Sequence, residues 1–100
     1  MDKTFYALEG KRVVATKDYK KAHHCRNQRV AFDEIGVVII STIFTAVNLD
    51  PESEGLPSVF ETTVFGGNFD QSQERYVSWD EAELGHQRMV SRVKNLNLRE

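Results

Sequence analysis

Three sets of residues in this chain are of types that could do chemistry. His23-His24-Cys25 places three soft metal ligands side by side. On a helix, neighbouring side chains diverge by about 100°, so three in a row cannot close on one ion, and no second Cys or His pair lies at a ligand spacing. The segment is expected to be a solvated helix face with one partly buried thiol, with no metal and no cofactor. Ser41, Glu61 and His86 form the second set and suggest a small hydrolase, because Ser41 and Glu61 lie mid-strand and a helix packed above them would bring His86 near. No nucleophile elbow or Gly-rich oxyanion turn flanks Ser41, so no catalytic residue is assigned. His86 alone could act as a base or touch a ligand, but the favoured reading is a buried histidine hydrogen-bonded to a carbonyl or a strand hydroxyl. The third set is the loop Gly66-Gly67-Asn68-Phe69-Asp70-Gln71. It lacks the Lys-Ser/Thr of a phosphate loop and does not open a helix. As a loop ending a strand it could bind a partner: Asn68, Asp70, Gln71 and Arg75 would supply polar contacts, with Phe69 or Trp79 as an apolar platform and His86 alongside.

The elements that must position these groups can be traced from pattern. Thr4 to Glu9 and Arg12 to Thr16 alternate as strands around a Gly10-Lys11 turn. Asp18 is a suitable N-cap for a short helix from Tyr19 to about Gln28. A strand over Arg29 to Ile35 leads to a turn or bulge at Gly36. Val37 to Val47 is β-branched at almost every position and apolar on both faces, so it must be a central strand covered on both sides. Asn48 to Pro57 is a polar loop, Ser58 to Phe65 the next strand, and Arg75-Tyr76-Val77 a short edge strand. Ser78-Trp79-Asp80-Glu81 is a capping box, opening a helix whose apolar stripe is Trp79, Ala82, Met89, Val90, Val93 and Leu96. The expectation is one α+β domain over residues 1–100: an antiparallel sheet in the order β-β-α-β-β-β-β-α, with the C-terminal amphipathic helix packed on it. Two helices, one short, cannot cover both faces of such a sheet. A second copy of the chain is the simplest source of the missing layer, so a homodimer or higher oligomer is expected.

Composition narrows the class. A length of 100 residues with 40% apolar and 28% charged side chains suits one globular domain. A single cysteine, nothing resembling a leader and no long apolar run point to a reducing cytoplasm and away from a membrane. The net charge of −2 argues against a binder of nucleic-acid phosphates. The charge is segregated: residues 1–30 carry eight Lys and Arg against three acids, whereas residues 31–70 carry seven acids and no Lys or Arg. Pairing of these segments within one fold is the favoured reading, pairing between chains the alternative. The acidic loop Asp50-Pro51-Glu52-Ser53-Glu54-Gly55 is either a solvated run or a docking surface for a basic protein.

Three blocks in order, Ser41-Thr42-Ile43-Phe44, Val59-Phe60-Glu61-Thr62-Thr63-Val64-Phe65-Gly66-Gly67, and Tyr76 to Ala82 with Gly85-His86, resemble a family of small phage- and prophage-encoded proteins of unassigned function. Relatives often carry an aspartate-histidine pair where this chain has Asn48-Leu49, so any chemistry of that pair is absent here. The resemblance implies a phage accessory protein acting in the cytoplasm of an infected bacterium. The function expected is non-enzymatic binding of a host macromolecule by an oligomer, with an anti-defence role. Two alternatives stand beside it. One is sequestration of a nucleotide-type signal, with Trp79 or Phe69 stacking on the base and Arg75, Arg88 or Arg92 meeting phosphate. The other is the small hydrolase.

Overall fold

The computed structural model describes residues 4–99, with side chains through Leu96. Gly10 sits at φ +63° and turns β1 (Phe5–Glu9) into β2 (Arg12–Thr16), with Glu9 opposite Arg12. Asp18 accepts the N–H groups of Lys20 and Lys21 and so starts α1 (Tyr19–Cys25). This helix is a turn shorter than its composition suggested. Asn27 takes a left-handed φ of +66°, its N–H donates to the Phe44 carbonyl, and the Phe44 N–H returns a bond to Gln28. The sheet therefore claims backbone groups that a longer helix would have used.

Four strands follow as an antiparallel meander: β3 (Arg29–Ile35), β4 (Val38–Phe44), β5 (Phe60–Phe65) and β6 (Gln73–Tyr76), hydrogen-bonded in that order. The element order β-β-α-β-β-β-β-α is the expected one, but the six strands divide into two sheets. The β1–β2 hairpin forms a sheet of its own, and α1 packs mainly on that hairpin while its Ala22 joins the cluster that holds Phe44 and Phe60. Tyr6 N–H to the Ala46 carbonyl (2.9 Å) ties the two parts together. β4 was expected to run to Val47 and stops at Phe44, because Ala46 adopts φ +65° and leaves the ladder. Thr45 and Ala46 are buried nonetheless, and the Thr45 N–H donates to Val59.

The last helix, α2 (Trp79–Arg99), lies on β3 through β6. Its start is the expected capping box with the return bond moved by one residue: Glu81 N–H donates to Ser78 Oγ, and the Glu81 carboxylate accepts the Val77 N–H in place of that of Ser78. Beneath it are two apolar clusters. One gathers Phe44, Phe60, Val59, Tyr76 and Ala82 with Ala22 and Ala46, and the other Val38, Ile40, Val64, Met89 and Val93. Phe60 meets Phe44 and Trp79 edge to face, at 5.3 and 6.2 Å between ring centroids. Gly85 explains how the helix lies so close: a Cβ there would overlap the Tyr76 ring. Glycine inside a helix ordinarily costs about 1 kcal/mol, and here it admits an aromatic ring against the helix backbone.

Candidate functional site

Strand alternation sorts the meander into two faces. The register pairs Asp33 with Ile40 and Ala31 with Thr42, then Thr42 with Thr62, Thr62 with Glu74, and Phe60 with Tyr76. These residues face α2. The opposite face holds three rows: Glu34, Ile39 and Phe65; then Phe32, Ser41, Thr63 and Gln73; then Arg29, Ile43, Glu61 and Arg75.

Under α2 the polar residues join end to end. His86, 3% exposed, sits between Asp33 and Thr42, with Nε2 2.7 Å from Asp33 Oδ2 and Nδ1 2.7 Å from Thr42 Oγ1. Thr42 Oγ1 contacts Thr62 Oγ1, and the Tyr76 hydroxyl lies 3.0 Å from Thr62 Oγ1 and 3.1 Å from Glu74 Oε2. One chain of hydrogen bonds thus crosses the whole sheet, from a carboxylate on the β3 edge to a carboxylate on the β6 edge. Burial pushes the Tyr76 phenol up from its ordinary value, the Thr62 hydrogen bond opposes this, and the Glu74 charge adds to it. Tyr76 is accordingly held as a donor.

Counting protons shows a property of this chain. Five links need five protons, whereas a neutral imidazole and three hydroxyls carry four. With His86 neutral, Nε2–H donates to Asp33, Thr42 to Nδ1, Thr62 to Thr42, and Tyr76 to Thr62, which leaves the Glu74 link without a proton. A fifth proton on His86 reverses all three hydroxyls and completes the Tyr76–Glu74 bond, while a fifth proton on Glu74 completes it without reversal.

Asp33–His86–Thr42 has the connectivity of a carboxylate–histidine–hydroxyl triad, but Thr42 has no exposed surface and its oxygen already contacts Thr62. A substrate carbonyl has no approach to it while α2 is in place. The set expected from sequence does not assemble. Ser41 and Glu61 lie on the open face, where Glu61 pairs with Arg75 (Nε to Oε2, 3.2 Å), and His86 is on the other side of the sheet. A one-residue difference in register parity separates Ser41 from Thr42, and His86 takes the latter. Asp33, Thr42, Thr62 and Tyr76 were missed. For Thr42 and Thr62 the signal was present as polar residues interrupting the apolar alternation of β4 and β5.

The expected binding residues are dispersed. Asp70 accepts the Gly66 N–H (2.7 Å) and shapes its own loop, in which Gln71 takes φ +70°. Asn68 is exposed in the same loop. Phe69 packs against the second apolar cluster with the Arg92 guanidinium 5.9 Å from its ring. Arg75 braces Glu61 and the Leu49 carbonyl (3.2 Å) on the open face. Trp79 is packed into the first cluster and donates to Glu83 at 2.6 Å. Trp79 and Arg92 are thirteen positions apart on α2, or about 20 Å along its axis, so Trp79 and Phe69 serve different ends of the molecule. His23, stacked on Tyr19, and His24 are exposed, while Cys25 Sγ accepts the Leu8 N–H at 3.4 Å.

Compared with known proteins, the chain matches no protein-family model, no curated protein and no solved structure. Function must therefore be argued from these two faces. No helix among the described residues is long and apolar enough to cross a membrane.

The open face has the composition of a contact surface. Phe32 is 36% exposed and Phe65 45%, Ile39 and Ile43 are half-buried, and Val37 at the β3–β4 turn is 89% exposed. None of the five belongs to either apolar cluster, and α2, the element that packs on this sheet, lies on the other side.

Proposed function

We propose that this chain is a non-enzymatic binding protein that works as an oligomer. The observation that carries the reading is the open sheet face, where Phe32, Ile39, Ile43 and Phe65 stand around Ser41 and Thr63, with Arg29, Glu34, Glu61 and Arg75 beside them. Sealing of Thr42 beneath α2 supports binding over catalysis. The resemblance to small phage proteins supplies the biological setting of this proposal: an accessory protein in the infected bacterial cytoplasm that engages a host macromolecule and counters host defence. The segment from Gly66 to Arg75, a loop running into β6, and the acidic loop from Asp50 to Gly55 are its partner-facing segments.

A second reading has one observation in its favour. Phe69, Arg92, Asn95 and Leu96 line a hollow of about 280 Å³, in which a base could lie on Phe69 with a phosphate on Arg92. A native mass spectrum of gently purified protein tests both. The proposal expects a dimer signal that grows with concentration and carries no passenger. A bound mass with nucleotide absorbance favours the second reading, and a monomer at every concentration removes the oligomeric one.

A further inference from the structure

We infer that the open sheet face packs on the same face of a second copy, about a two-fold axis that runs across the strands through Phe32, Ser41, Thr63 and Gln73; this rests on the oligomeric reading above. Face-to-face packing of one sheet on itself allows two simple axes, along the strands or across them. Charge placement decides between them. An axis along the strands, between β4 and β5, sets β3 over the partner's β6. Arg29 then meets a second arginine, that of the Arg75 position; either axis sets an apolar residue over the carboxylate of the Glu61 position, Ile43 for this one and Phe65 for the other, so the arginine contact is what separates them.

An axis across the strands exchanges the first and third rows while each strand lies over its own copy. Glu34 then meets the Arg29 position, twice by symmetry, and Ile39 meets the Ile43 position. Phe32 stacks on its own symmetry mate at the axis. Glu34 is exposed and makes no ion pair among the described residues, and the Arg29 guanidinium lies over the Phe32 ring at 4.3 Å, on the face where it is needed. Complementary charges at both ends of β3 fix the register, and Phe32, Ile39 and Ile43 supply the apolar contact around Ser41, Thr63 and Gln73.

The size of the face sets the strength. Four strands about 4.8 Å apart, of seven, seven, six and four residues, present roughly 380 Å² per copy. That is below the ~800 Å² per partner of a stable complex, so the dimer is expected to dissociate in the micromolar range. The dimer also leaves the Asp70 loop and the acidic loop outside its central rows.

Sedimentation equilibrium on the full chain and three charge variants tests this. Glu34→Arg and Arg29→Glu should each weaken the dimer about tenfold by setting like charges opposite each other, and the double variant should recover most of the loss. Unfolding midpoints measured under dilute conditions serve as the control, since both side chains are exposed. A wild-type dimer that neither single reversal weakens would overturn the crosswise axis and leave self-association standing. A wild-type monomer up to about 500 µM would overturn both.

Discussion

The two faces of the four-stranded sheet are built from the same strands and differ in what their polar residues do. On the covered face, Asp33, His86, Thr42, Thr62, Tyr76 and Glu74 spend their hydrogen bonds on one another, and Phe44, Phe60, Ile40 and Val64 fill the space beneath α2. On the open face the apolar side chains have no layer above them among the described residues, and the charges are Glu34 at one end and Arg29, Glu61 and Arg75 at the other. Similar strand chemistry thus gives stability on one side and an unpartnered surface on the other. The lesson is that reactive residue types are poor guides to function until their face is known.

Substitutions sharpen this contrast. The largest effect is expected from Phe60→Ala, which opens a cavity in a fully buried cluster and should lower stability by about 3–5 kcal/mol in urea unfolding. Phe65→Ala, five residues along the same strand on the open face, should change the unfolding of dilute protein by less than ~1 kcal/mol. Equal effects would break the division into faces.

Gly85→Ala comes next. Helix propensity alone predicts a gain of about 1 kcal/mol, whereas overlap with the Tyr76 ring predicts a loss of about 1–3 kcal/mol. A lower unfolding midpoint is the expected sign.

Tyr76→Phe removes the hydroxyl shared by Thr62 and Glu74 and should cost about 1–2 kcal/mol. It also carries a pH signature. The folded protein holds the Tyr76 proton more tightly than the unfolded chain, where the ordinary value is 10.0. Above pH 10.0 the unfolded state loses that proton first, so the stabilisation is complete below this pH and fades as pH rises through the raised folded value. Alkaline destabilisation should be shallower in Tyr76→Phe than in the parent.

The smallest change is expected from Glu74→Gln. An amide can donate to Tyr76 or accept from it, so the five links are satisfied with His86 neutral and stability should stay within about 0.5 kcal/mol of the parent. A large loss would mean that the Glu74 charge, and not its hydrogen bond, holds the end of the chain.

Much of this was legible in the sequence, for stated reasons. Ser78 and Glu81 gave the start of α2 because a capping box is local chemistry, and Gly10 gave the first turn for the same reason. The β-branched run from Val37 marked the central strand and its two apolar faces. His86 was expected to meet a carbonyl or a strand hydroxyl, and it meets the hydroxyl of Thr42. Which hydroxyl could not be read, because Ser41 and Thr42 differ by one step of alternation and only the position of the helix selects between them. The end of α1 was hidden likewise: the Phe44 backbone, seventeen residues away, withdraws Asn27 from the helix. The separation of the hairpin from the meander was equally invisible, since β2 and β3 are each good strands and only tertiary pairing keeps them apart.

The most direct test of the account is a concentration series followed through isoleucine methyl resonances. Ile39 and Ile43 lie on the open face and Ile40, between them in sequence, lies beneath α2. The account predicts that the Ile39 and Ile43 signals move together along one binding curve on concentration while Ile40 stays fixed. Fixed Ile39 and Ile43 signals across the whole series, or an equal shift at Ile40, would contradict it.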